Sequence, residues 1–190
     1  MIMENRISEI NTTASIDELR IRFTYTQKRG LHFIIASVII WATILTLQFI
    51  IPDISIRNTA VFCSSAMLLP LSFTASKILG IKFSDKENPL SKPGLLFTMN
   101  QMLYLTIVMW VCSAVPEAMV MVYAIVFAAH LLPFGWLYRS RAYSVISVAG
   151  TISALFSGIF GGAAVTALVM TICEIILVLW LMAENRKATV

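Results

Sequence analysis

The sequence predicts an all-α polytopic membrane protein with six transmembrane helices, both termini in the cytoplasm, and a short N-terminal amphipathic interfacial helix. Three observations carry that prediction. Hydrophobic residues make up 58% of the chain and charged residues 13%, against about 25% charged in a soluble domain. The apolar residues gather into six runs, each near the ~20 residues a helix needs to cross a bilayer. The basic residues lie between these runs with a strong bias: thirteen Lys and Arg fall on one side of the alternation, and Arg57 alone on the other. That asymmetry is the positive-inside pattern, and losing or adding one run would scramble it.

Residues 1–15 are polar and expected to be poorly ordered. Asn11-Thr12-Thr13 matches a glycosylation acceptor, but the topology puts it in the cytoplasm, so it is read as chance. Ser15-Ile16-Asp17-Glu18 has the form of a capping box. A helix should follow, from 16 to about 29, with Ile16, Leu19 and Phe23 on one side. Its Arg20, Arg22, Lys28 and Arg29 suit an inner interface beside anionic lipid heads. The alternation Leu19, Ile21, Phe23, Tyr25 also fits a strand, and a solvated lead-in that only sets orientation is the plainer alternative.

The spans are expected at 31–51, 59–79, 94–115, 117–138, 142–161 and 165–183. Pro52-Asp53 closes the first, Pro93 suits the first turn of the third, and Pro116-Glu117 opens the fourth. Residues 80–92 form the one substantial loop, 139–141 a short basic turn, and Gly162-Ala163-Ala164 a tight small-residue turn. The domain organisation is therefore a cytoplasmic segment at 1–30, a transmembrane domain at 31–183 and a cytoplasmic tail at 184–190. No cleavable signal peptide is expected, because the first apolar run is too long for one. Cys63, Cys112 and Cys173 lie inside apolar runs and are read as small buried side chains; pairing of Cys63 with Cys112 would need a suitable geometry. A weak internal echo, Met67-Leu68-Leu69-Pro70 and His130-Leu131-Leu132-Pro133, puts a proline in two spans, with Trp41 and Trp110 in the spans before them.

Around Gln27-Lys28-Arg29-Gly30-Leu31-His32-Phe33, leading into 34–41, the chain resembles an uncharacterised family of small bacterial six-span integral membrane proteins. The resemblance extends to overall length and span count. It implies a bacterial cytoplasmic membrane as the location and brings no activity with it.

The residue that calls for chemistry is Glu174, about 13 Å into the last run. A charge at that depth costs several kcal/mol, so such a group is satisfied or used. Ala167, Thr171 and Glu174 lie at i, i+4, i+7, a small polar strip leading to the carboxylate. Glu174 is a candidate proton or cation site; the plainer reading is a protonated acid that ties helices together. His130 shares a face with Tyr123, Phe127, Phe134 and Leu137, a strip that could line a pocket for a flat or apolar ligand or be ordinary packing. Asn100, Gln101 and Tyr104 sit at a similar depth in the third span. If spans three, four and six adjoin, these groups form one polar cluster opening inward.

The fifth span carries Gly150, Ala154, Gly158 and Gly162 at four-residue spacing, with Ser153, Ser157 and Gly161 beside them, a signature of close helix approach within the chain. Trp136 and Tyr138 read as interfacial anchors, and His32 as an ordinary imidazole at the inner edge. No catalytic residue, metal site or cofactor is expected. Nucleic acid is not an expected partner, since the net charge of +4 belongs to the topology signal. Expected partners are the lipid bilayer and, through the cytoplasmic face, a second copy or another chain. The leading functional reading is a transporter-like or small-ligand-binding protein. The alternatives are a non-enzymatic subunit or sensor with a basic docking face and, third, an intramembrane enzyme acting on lipid.

Overall fold

The computed structural model describes residues 15–81, 83 and 88–187. The expected disordered lead-in, the Asn11 sequence and parts of the 80–92 loop and of the tail lie outside them. The described residues are all-helical, with no strand among them, so the strand alternative for 19–25 falls away. In order, the helices are α1 (Ile16–Thr26), α2 (Leu31–Ile50), α3 (Ile54–Ser65), α4 (Leu68–Ile78), α5 (Ser91–Ala114), α6 (Met119–His130) and α7 (Leu132–Leu137). A last helical stretch, Arg141–Lys187, follows.

That last stretch is two helices. Gly162 has φ 75° and ψ −172°, far from helical values. In a straight helix Ser157 and Thr166 would be about 13 Å apart, and Ala142 and Glu184 about 63 Å apart. The Ser157 hydroxyl instead lies 3.3 Å from that of Thr166, and the Ala142 N–H donates to Glu184 Oε1 at 3.4 Å. The chain therefore folds back on itself, giving α8 (141–161) and α9 (163–187) as an antiparallel pair. Only glycine readily adopts the Gly162 conformation, so this residue is the turn itself rather than the last step of the small-residue row.

Four helical stretches are long and apolar enough to cross a membrane: Lys28–Ile50, Ser91–Ala114, Pro116–Leu137 and Arg141–Arg186. The pair α3 and α4, bent by 41°, makes a fifth if taken as one. The two prolines of the sequence echo explain two of the breaks. Pro70 has no N–H for the carbonyl of Ala66, where α3 gives way to α4, and Pro133 has none for Ala129, where α6 gives way to α7. The freed Ala129 carbonyl accepts instead from the Ser147 hydroxyl of α8 at 3.4 Å. The echo does not reach the tryptophans: Trp41 is fully buried and Trp110 is exposed.

α1 begins as its sequence dictates. The Ser15 hydroxyl accepts from the Glu18 N–H at 3.3 Å, and the Glu18 carboxylate accepts from the Ser15 N–H at 2.8 Å. The helix stops at Thr26, short of the expected 29. Lys28, Arg29 and Gly30 then take left-handed conformations in succession, each non-glycine residue at a cost of about 1–2 kcal/mol. The joint is held from several sides. The Tyr143 hydroxyl donates to the Arg29 carbonyl at 2.8 Å, Asn185 donates to the Lys28 carbonyl at 3.0 Å, and Arg29 pairs with Glu184 at 3.3 Å. Gly30 is required twice over, by its φ of 67° and because a Cβ there would lie 3.0 Å from the Tyr138 ring. α1 docks on the bundle through buried Phe23, Thr24 and Gln27, while Ile16 is exposed. Arg20 donates to the Trp136 carbonyl and stacks over the Trp136 ring at 4.6 Å.

α6 packs along α8 and α9, α2 against the same pair and α4, and α5 against α6. The small residues of α8 make the first contact close: Ala154 is fully buried, and a Cβ on Gly150 would meet Ala128 at 3.3 Å. At the centre, Trp41 of α2 stacks on Tyr123 at 5.3 Å and meets Phe127 edge-on at 5.6 Å, each pair worth about 0.5–1.5 kcal/mol beyond its burial. Outward, large apolar side chains such as Phe49, Ile78, Leu103, Trp110 and Phe160 are exposed, a surface compatible with an integral membrane protein.

Candidate functional site

Glu174 points into the bundle and is fully buried on α9, where it faces α2. Its Oε2 contacts the Ser37 hydroxyl, and its Oε1 has no hydrogen-bond partner among the described residues. The Ser37 hydroxyl also lies 2.8 Å from the Ile34 carbonyl. A hydroxyl has one proton, and a carbonyl can only accept. If Glu174 is ionised, Ser37 must choose between two acceptors. If Glu174 carries the proton, it donates to Ser37, which donates to Ile34, and both contacts are satisfied. The arrangement therefore has two states, distinguished by where one proton sits. Thr171 is buried one turn before Glu174, but its hydroxyl donates to the Ala167 carbonyl at 2.7 Å, so the strip seen in the sequence is not a chain of contacts to the carboxylate.

Beside Ser37 lies a small cavity of about 50 Å³, room for a few waters. The polar side chains Ser37, Thr98, Gln101, His130, Tyr138 and Tyr143 line it, among the rings of Phe33, Phe127 and Phe134. Four of these, Phe33, Thr98, Phe134 and Tyr138, also line a second cavity of about 390 Å³. That outer cavity is bounded by Phe23 and Gln27 of α1 and by Asn88 and Lys92. An outer cavity at the α1 end of the bundle, the vestibule, thus adjoins the inner cavity across shared walls, and the carboxylate stands behind Ser37.

The structure brings together some of the residues singled out in the sequence and separates others. Gln101, Phe127, His130 and Phe134 line the inner cavity. Asn100 and Tyr104 are exposed on α5; Asn100, one position from Gln101, points about 100° aside from it. His130 Nδ1 contacts the Phe127 carbonyl, so Nδ1 carries the hydrogen and the neutral ring keeps Nε2 as an acceptor. Gly150, Ala154 and Gly158 lie along the α6 contact, and Gly162 forms the turn. Tyr138 is no interfacial anchor: it is buried, stacked on Phe23 at 5.6 Å and on Tyr143 at 5.8 Å, whereas Trp136 is exposed. His32 is fully buried beside Phe33, with neither ring nitrogen partnered. The cysteines are all free; Cys63 is exposed, and Cys112 and Cys173 are half-buried.

Sequence reasoning missed Ser37, Tyr138 and Tyr143. A signal for Ser37 existed. It sits on one face with Ile34 and Trp41, about 10 Å into its helix, and Glu174 sits about 15 Å inside Glu184. Two polar groups at similar depth in apolar runs are candidates to meet.

The fold and site define an all-helical protein with several helices apolar enough to span a membrane and one carboxylate buried among them. The chain belongs to a family of unknown function, DUF7010, whose pattern matches residues 16–184. The match starts at the first residue of α1 and ends at Glu184, the partner of Arg29. No curated protein and no solved structure matches the chain.

Proposed function

We propose that this is a small transporter-like membrane protein that binds a ligand in the inner cavity and uses Glu174 as its proton or cation site. In this reading the chain crosses the bacterial cytoplasmic membrane six times within one domain, 31–183. α3 and α4 form one bent crossing, and α8 and α9 form two. Both termini are cytoplasmic, and the vestibule opens to the cytoplasm. The basic bias of the loops supports that orientation. So does the contact of Arg29 with Glu184, which puts the start of α2 and the end of α9 at the same end of the bundle.

The observation that carries the proposal is the half-partnered carboxylate, fully buried behind a hydroxyl that borders a cavity. Oε1 has no partner among the described residues, which leaves it open to a proton or cation. The test uses proteoliposomes with a pH-sensitive dye inside and an imposed proton gradient. Wild-type protein is expected to collapse the gradient, and Glu174→Gln to leave it standing while unfolding at the same temperature as wild type. Equal rates for the two proteins would end the proposal.

A further inference from the structure

Four of the polar side chains that line the inner cavity have their hydrogens already engaged. The Thr98 hydroxyl donates to the Gly94 carbonyl at 3.1 Å, and the Tyr143 hydroxyl to the Arg29 carbonyl at 2.8 Å. Ser37 donates to Ile34 or to Glu174, and His130 Nδ1 to Phe127. What these four groups turn to a guest is lone pairs. Gln101 adds a carbonyl oxygen alongside its N–H groups. Behind them stands a carboxyl group with one oxygen free. Rings surround the space, and ring faces attract cations. Two donors without a hydrogen-bond acceptor among the described residues, the Gln101 amide and the Tyr138 hydroxyl, also reach the inner cavity, while Lys92 and the Gln27 amide line the vestibule alone.

We infer that the ligand is an organic primary ammonium cation, its N–H₃⁺ head in the inner cavity and its apolar body in the aromatic vestibule. The inference rests on the reading of this cavity as the ligand site. Three N–H donors match an acceptor-rich wall, and an anionic head would find few donors and a carboxyl group beside it. A cavity of about 50 Å³ admits an ammonium head, and about 390 Å³ of vestibule lies within the 300–1,000 Å³ range of ligand pockets. Charge balances if one cation entering releases one proton: the Glu174 proton leaves by the vestibule to water, and the carboxylate left behind neutralises the ammonium. The titratable groups facing Glu174 are the Tyr123 phenol of α6, the Tyr143 phenol of α8 and the Cys173 thiol of α9. Among the described residues no ion pair reaches Glu174 to supply the counter-charge instead.

The test is calorimetric titration of the full chain in lipid nanodiscs, with empty nanodiscs as the partition background. Four probes share a phenylethyl body: phenethylammonium, its trimethylated analogue with no N–H, 2-phenylethanol, and 3-phenylpropionate. Phenethylammonium is expected to bind about tenfold or more tighter than each of the others, the worth of one hydrogen bond to a charged group. Gln101→Leu and His130→Phe should each remove about that factor and leave binding of the trimethylated probe unchanged. In weakly buffered medium wild type should release protons on binding, and Glu174→Gln should not. Equal binding of the trimethylated cation or the alcohol would overturn the inference, since rings alone would then explain the site. Preference for the propionate would overturn it in favour of an anion held at Lys92. If no probe binds while Glu174→Gln still abolishes proton flux, the ligand class fails and the proton site stands. If phenethylammonium binds with the stated preference while flux ignores Glu174, the ligand class stands and the transport reading fails.

Discussion

Replacing Ser37 with alanine tests the local chemistry directly, because among the described residues one hydroxyl is the only hydrogen-bond partner of a fully buried carboxyl group. Glu174 Oε1 already lacks a partner, so Ser37→Ala leaves both carboxyl oxygens unsatisfied. An unsatisfied buried polar group costs about 1–3 kcal/mol, and more if it is charged. Glu174→Leu removes the carboxyl group at similar volume and leaves Ser37 its Ile34 acceptor, so its cost should stay under about 1.5 kcal/mol or turn favourable. With both changes together nothing polar remains to strand, and the double variant should match Glu174→Leu closely. The coupling energy expected from the four-protein cycle is therefore about 1–3 kcal/mol. It is read from reversible SDS unfolding in mixed micelles. Additivity within about 0.5 kcal/mol would refute the reasoning, because it would mean the two side chains are not partners in the folded protein.

Other consequences are checked in the same unfolding assay or by labelling. Gly162→Ala should destabilise by about 1–3 kcal/mol, through backbone strain alone, since a Cβ there meets no atom within 4 Å. Gly158→Ala puts a Cβ 2.6 Å from the Cβ of Met121; the overpacking, about 1–3 kcal/mol, should outweigh the roughly 1 kcal/mol gained in helix propensity. Adding Met121→Ala should recover most of that loss, and no recovery would mean the clash is not the cause. In a cysteine-free background, single cysteines at Asp53 and Ala164 should react with an impermeant thiol reagent from outside intact cells. Cysteines at Arg139 and Arg186 should react only after the membrane is opened, and the opposite pattern would reverse the topology.

Composition and run length made the all-helical fold readable, because a bilayer accepts few other solutions for such a chain. The turn at Gly162 was legible from three adjacent small residues between two apolar runs. The break at Leu131 follows from Pro133, which has no N–H for the carbonyl of Ala129. The site was only partly legible. Helical spacing put Phe127, His130 and Phe134 on one face, and the structure turns that face to the cavity. Spacing within one helix could not choose between Asn100 and Gln101, because that depends on how α5 is rotated against its neighbours. Nor could it show that Arg20 and Thr24 bind carbonyls of 136 and 138, contacts that draw Tyr138 inward from the interface where an aromatic at a helix end is expected. Ser37 went unseen because a serine in an apolar run is usually satisfied by its own helix, as this one also is.

The central claim is that Glu174 holds a proton that it can give up to the cavity. Infrared difference spectroscopy of the full chain in lipid, comparing wild type with Glu174→Gln, reads that proton through the stretching band of a protonated carboxyl group. The account predicts a band present in wild type, missing in the variant, and lost reversibly when pH is raised or phenethylammonium is added. A Glu174 band that persists through both treatments in folded protein would show a proton locked in place for structure, and would contradict it.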